Sequence, residues 1–125
     1  MKVIVSNSSD KPLYEQIEEQ IKELIFNGEL VDGDVLPPIR MLANEVHVSI
    51  LTIRRVYEEL EKEGFLSSKV GRGTFVACSN LEAIKEAKRI QIERRLSVVV
   101  DDAKAYGICR QELLDMIMIL FQEVG

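Results

Sequence analysis

Residues 48–76 read VSILTIRRVYEELEKEGFLSSKVGRGTFV, a helical pattern that gives way to two short strands around a glycine turn. Placed at about 100° intervals, Ile53, Val56, Tyr57 and Leu60 fall in one stripe at i, i+3, i+4 and i+7, the spacing of a core-facing surface. Leu51 falls roughly 170° from the centre of that stripe, beside Arg54, Arg55, Glu58 and Lys62. A large apolar side chain on the polar face is either an ordinary exposed leucine or part of a contact surface. After Gly64, the residues Phe65 to Lys69 and Thr74 to Val76 suit two strands, and Gly71 and Gly73 supply the sharp turn with Arg72 projecting from its tip.

Upstream, the pattern is helical again. Asp10 has the chemistry to cap a helix with Pro12 in its first turn, along which Leu13, Ile17, Ile21, Leu24 and Ile25 recur until Gly28 stops it. GELVDGDVLPP is rich in turn formers and reads as a connection. A second, short helix starts at about Pro38, with Ile39, Leu42, Ala43 and Val46 on one face. Ser49 then suits the cap of the third helix, which leaves only a few residues between the two. A short helix, a tight turn and a helix with one apolar and one arginine-bearing face make the layout of a helix-turn-helix. In that motif the second helix enters the DNA major groove, where Leu51 could meet a thymine methyl and Arg54 a guanine edge or a phosphate. A basic hairpin directly afterwards suits a wing that touches phosphate or the minor groove. The G-x-G of the turn lacks the following helix that a phosphate-cradling loop requires.

Composition narrows the classes. A chain of 125 residues is one ordinary domain by length, and no apolar run approaches the length of about eighteen residues that a membrane span needs. The amino end, MKVIVSNSSDKP, has too short an apolar stretch for a secretory signal. Cys78 and Cys109 lack C-x-x-C spacing and His47 is the only histidine, so neither a metal, a cofactor nor a disulfide framework is expected, and both thiols are expected to be small, semi-buried hydrophobes. A reducing cytoplasm is the expected location. Ser49 and His47 are too isolated for a catalytic triad, and the chain is not expected to be an enzyme. The net charge of -5 argues against indiscriminate nucleic-acid binding, but residues 38–76 are near neutral while the remainder carries the acid.

The run LPPIRMLA from Leu36, VS at Val48, Thr52, Arg54, YEELE from Tyr57, EGF from Glu63 and GRGTFV from Gly71 resembles the winged helix-turn-helix of the GntR family of bacterial transcription regulators. PLYEQI in the first helix and the tyrosine of VYEELE are similar to the YtrA subfamily. The resemblance implies a mainly α fold with a small β-hairpin wing and DNA contacts from Arg40, Ser49, Thr52, Arg54, Gly71 and Arg72. Ile50, Leu51 and Arg55, at the start and on the polar face of the same helix, complete the expected interface. Two positions depart from the family's pattern. Pro38 stands where many relatives have a capping serine, and Ile50 stands where many have arginine, so an operator sequence does not carry over.

The expected organisation is a DNA-binding domain over 10–77 and a two-helix tail over 80–125. The 48 residues after Ala77 are too few for a large ligand-binding domain. Leu81, Ile84, Ala87, Ile92 and Leu96 suggest one long helix with an exposed side rich in Lys and Arg. Past Gly107, Leu113, Leu114, Ile117, Leu120 and Phe121 suggest a second. Two amphipathic helices without a core of their own need a partner surface. The subfamily resemblance implies a homodimer, with Leu81, Ile84, Leu113, Leu114, Ile117, Leu120 and Phe121 as the dimerisation residues. The expected partners are therefore a second copy and an inverted-repeat operator in double-stranded DNA, and the expected activity is repression of an operon such as one encoding a transporter. A protein-interaction module that uses the winged helix without reading DNA is the alternative. The sequence names no small-molecule effector.

Overall fold

The computed structural model describes residues 1–124, with side chains described through Gln122. The element order is α1 (Leu13–Phe26), α2 (Ile39–Val46), α3 (Ile50–Lys62), β1 (Leu66–Lys69), β2 (Gly73–Val76), α4 (Leu81–Ala105) and α5 (Arg110–Val124). The chain divides into two compact units, Met1–Leu81 and the residues from Glu82 onward.

In the first unit the expected core stripe of α3 is buried: Ile53, Val56, Tyr57 and Leu60. They meet Ile17, Ile21 and Ile25 of α1 and Leu42, Ala43 and Val46 of α2 in one apolar core. Each buried aliphatic side chain contributes about 1.5–3 kcal/mol relative to exposure, so this stripe fixes the rotation of α3 about its axis. Ser49 caps α3 as its chemistry suggested, with Oγ accepting from the Thr52 N–H at 3.0 Å. The expected Asp10 cap of α1 does not form. The helix starts one residue after Pro12, at Leu13, and Pro12 makes no side-chain cap; its fixed φ is already compatible with the first turn. Pro38 likewise precedes α2 without a side-chain cap.

Residues 1–9, ahead of the expected domain boundary, belong to the same unit. Gln20 and Gln16, one turn apart on α1, use their side-chain amides to bind both backbone groups of Ile4 and Ser6 respectively, as a neighbouring strand would. The wing is an antiparallel pair with Leu66 opposite Val76 and Lys69 opposite Gly73. The connection read as turn formers adds a third rung. Gly33 N–H donates to Val76 O at 2.7 Å, Val76 N–H to Asp34 O at 2.8 Å and Leu36 N–H to Thr74 O at 2.8 Å, so residues 33–36 line the open edge of β2. Its residues lack strand alternation, and the pairing is a long-range event that local pattern does not encode.

In the second unit Gly107, at φ +72°, separates α4 from α5 as expected, and the Ile108 N–H closes the helix end on Ala103 O at 2.8 Å. Leu96, Val100, Ala103, Ile108, Leu113 and Ile117 line one cleft of about 480 Å³ between the two helices. The expected single apolar side of α4 is not what the helix carries: Val98, exposed, falls roughly 170° from the Leu96–Val100–Ala103 line. Leu81 falls in the first unit, where it lines a depression with Ile25, Leu30 and Val76. Cys78 is half-buried as expected, whereas Cys109 is exposed, its Sγ 3.3 Å from Glu112 Oε1. Among the described residues no helix is long and apolar enough to cross a membrane.

A side-chain hydrogen bond also ties the core to the connection: Tyr57 Oη donates to Pro37 O at 2.7 Å. Tyr57→Phe removes that donor and leaves a partly buried carbonyl unpaired. Chemical denaturation is expected to show a loss of about 1 kcal/mol, and an unchanged midpoint would show that the bond contributes nothing.

Candidate nucleic-acid interface

The two faces of α3 set the site. With the apolar stripe buried, Leu51 is left 69% exposed, and Arg54 and Glu58 are exposed with it. The tight turn before α3 holds His47 at φ 60° and ψ 46°, where its N–H and that of Val48 both reach Ala43 O. That left-handed residue reverses the chain in three positions and brings the start of α3 beside the start of α2.

Three arginines from three elements consequently meet. Arg40 from α2, Arg54 from α3 and Arg72 from the wing line one open depression of about 460 Å³, together with Pro37, Pro38, Ile50, Tyr57 and Thr74. Tyr57 stands at its base and ties the proline pair down through Pro37 O. Burial, and secondarily the Glu45 carboxylate, pushes its phenol well above the ordinary range, so it stays a neutral donor throughout the physiological range. Three arginines lining one concavity give a basic spot on a chain whose net charge is -5. Such a spot can take two phosphate oxygens or a guanine edge in the bidentate geometry that arginine favours.

The expected interface residues do not all share this place. Ile50 lines the depression and Leu51 is exposed in the same first turn of α3. Ser49 and Thr52 are committed to each other as well as to the cap, their hydroxyl oxygens 2.8 Å apart. Gly71 is exposed at φ +85° in the wing turn. Arg72 does not project from the tip as its sequence position suggested. Its guanidinium lies 3.9 Å from the centroid of the Phe75 ring and donates to Gly33 O at 3.3 Å, so the wing's arginine is folded back against the domain. Arg55 turns to the other side of α3, where its guanidinium stacks 3.6 Å from the centroid of Tyr14 on α1. Side-chain packing across elements decides both placements. Sequence reasoning missed these partners, Tyr14, Phe75 and the Gly33 carbonyl.

Comparison with known proteins agrees with this geometry. The family described as "Bacterial regulatory proteins, gntR family" matches residues 13–76. The HTH-type transcriptional repressor YtrA of Bacillus subtilis is 34% identical over 116 residues, spanning 93% of this chain and 89% of that protein. Among solved structures, YtrA from Sulfolobus acidocaldarius, a GntR-family transcription factor, superimposes with a TM-score of 0.62 at 38% identity, over 74% of this chain and 95% of the other. The DNA-binding domain of AraR, solved in complex with operator ORX1, superimposes with a TM-score of 0.55 at 31% identity over 62% of this chain and 96% of that one. With its winged helix-turn-helix and its similarity to YtrA along most of its length, the chain belongs to the gntR family of bacterial regulatory proteins.

Proposed function

We propose that the chain is a sequence-specific DNA-binding transcription regulator that acts in the cytoplasm as a homodimeric repressor of an operon, such as one encoding a transporter. The observation that carries the reading is the meeting of Arg40, Arg54 and Arg72 beside the amino end of α3, the helix whose opposite face is locked into the core. Residues 10–77 are the DNA-binding part. Leu51 takes the thymine-methyl role, Arg54 reads a guanine edge or a phosphate, and Arg40 and Arg72 hold the backbone. Ser49 and Thr52 order the first turn, while Ile50 and Gly71 let the backbone approach the duplex. The name of the Bacillus subtilis relative supports repression, and the operator complex of the AraR domain supports double-stranded DNA as the partner.

The tail, residues 80–125, is the dimerisation part. Helix α5 carries the run MIMILF at 116–121, apolar on nearly every side, and Leu120 and Phe121 remain 60% and 79% exposed. A helix apolar all round requires cover on more than the one face its neighbour provides. Leu113, Leu114, Ile117, Leu120 and Phe121 of two copies supply that cover, joined by Ile84 of α4. A two-fold pair then sets two recognition helices on half-sites about one helical turn apart.

Selection of bound duplexes from a random pool at moderate salt tests the reading directly. An inverted repeat is the expected product, and an unenriched pool would overturn sequence-specific binding. On the selected duplex Arg54→Ala is expected to cost about 1–3 kcal/mol and to relax one base position. Arg72→Ala is expected to weaken binding with a salt slope smaller by about one unit, the signature of a single lost phosphate contact. Titration of both variants against the parent separates the two roles. Ile117→Glu places a charge in the proposed tail interface, and sedimentation equilibrium is expected to return a monomer. A dimer that survives it unchanged would move the interface elsewhere.

A further inference from the structure

The segment ahead of α1 has its backbone paired on one side only. Ile4 and Ser6 each have both backbone groups bound by one glutamine amide of α1, the Ile4 N–H lying 2.9 Å from Gln20 Oε1 and the Ser6 N–H 2.9 Å from Gln16 Oε1. Full pairing at residues i and i+2 is the pattern of an extended strand, whose successive residues turn their backbone groups to opposite sides. The groups of Val3 and Val5 therefore point away from α1, and among the described residues neither has a hydrogen-bond partner.

This open edge carries little that would block pairing. Lys2 to Ser6 read KVIVS, with three β-branched residues in succession and neither proline nor glycine. Val3 and Val5 are half-buried, so the face they share is partly covered. On the other face Ile4 stands 68% exposed between Lys2 and Ser6. The edge is also complementary to itself. Two copies laid antiparallel about Ile4 set Val3 against Val5 and Val5 against Val3 as hydrogen-bonded pairs, with Ile4 against Ile4 as the close pair between them. That register gives the outward N–H and C=O groups of both valines a partner and covers Ile4 with its own twin. It also sets Lys2 opposite Ser6, so no like charges meet.

We propose that Lys2–Ser6 is a β-edge that pairs antiparallel with the same segment of a second copy of this chain. Strand addition of this kind takes affinity from backbone bonds and register from side chains, and a second copy brings the matching register with it. The contact uses none of the residues assigned above to DNA or to the tail interface, so it stands apart from both readings. An isolated two-stranded pair is marginal in water. The contact is therefore weak by itself and gains where copies are already held close, as in a homodimer or on neighbouring duplex sites.

Disulfide trapping tests it on the full chain, with Cys78 and Cys109 replaced by serine and one new thiol introduced by Ile4→Cys or, as the reference in the following turn, by Ser8→Cys. Opposed Cα atoms in such a close pair lie about 4.5 Å apart, within disulfide reach. After equilibration in a glutathione redox buffer, non-reducing electrophoresis reads the fraction of covalent dimer. Ile4→Cys is expected to reach half-conversion at a protein concentration roughly tenfold lower than Ser8→Cys. Adding Val5→Pro removes an outward N–H while leaving the bonds from Gln16 and Gln20 in place, and is expected to return trapping to the reference level. Val3→Pro, at the other outward position, serves as a second variant and is expected to behave alike. Equal trapping of the two thiols would overturn a second copy as the partner and leave the edge to an extended segment of another protein. Enhanced trapping that persists in both proline variants would overturn the strand pairing and leave mere proximity of the two amino ends.

Discussion

The arrangement depends on how α3 is clamped. Four of its side chains, Ile53, Val56, Tyr57 and Leu60, are driven out of water against α1 and α2, which leaves the helix one rotational setting. Tyr57 extends the clamp beyond the apolar core, because its buried phenol needs an acceptor and finds it at Pro37 O. The same residue that fixes the recognition helix therefore also fixes the loop leading into α2 and Arg40. At the amino end, the Ser49 cap and the left-handed His47 define where α3 begins. At the carboxyl end, the Lys22–Glu63 ion pair at 2.9 Å joins α1 to the residue that follows α3.

Two of the arginines on the polar side are held by ring faces. Arg72 lies over Phe75 and Arg55 over Tyr14, contacts in which a flat, weakly hydrated guanidinium does better than an ammonium would. On the proposed reading, the packing of Arg72 has a functional side. A wing arginine already immobilised against the domain loses less rotamer freedom on meeting a phosphate than one waving from a loop tip. For Arg55 the stacking draws the charge toward α1, away from the concavity that Arg40, Arg54 and Arg72 share. The basic spot is therefore smaller and more localised than the count of arginines on α3 suggests. On the proposed reading, a chain of net charge -5 has little attraction for DNA at large, and discrimination falls to the few groups at this one place.

The two units carry different kinds of apolar surface. In the winged unit the large aliphatic side chains of α1, α2 and α3 are mostly buried, and Leu51 stands out because it is not. In the unit from Glu82 onward, Ala103 is the one buried residue among those described, while α5 presents leucine, methionine, isoleucine and phenylalanine to solvent. Two helices are too few to bury one another on every side, and that imbalance is the physical basis for assigning the tail to self-association.

Much of this was legible in the sequence. The i, i+3, i+4, i+7 spacing marked the buried side of α3, glycines at 28, 64, 71 and 107 marked where regular structure stops, and Ser49 marked the start of the recognition helix, because these are local rules read within a few residues of chain. The helix-turn-helix and its hairpin followed from the order of those elements. Local pattern failed where partners are distant. The pairing of residues 33–36 with β2, the bond from Tyr57 to Pro37, the bond from Arg72 to Gly33, and the turn of Arg55 to Tyr14 each join segments many residues apart. Asp10 had the right chemistry for a cap, and Pro12 began the helix without it. The sequence by itself determined which faces are apolar and where helices start and end, since propensity and periodicity act along the chain. Only the tertiary structure decided which arginines share one concavity, because a long cationic side chain goes to whichever ring or carbonyl the fold sets within its reach.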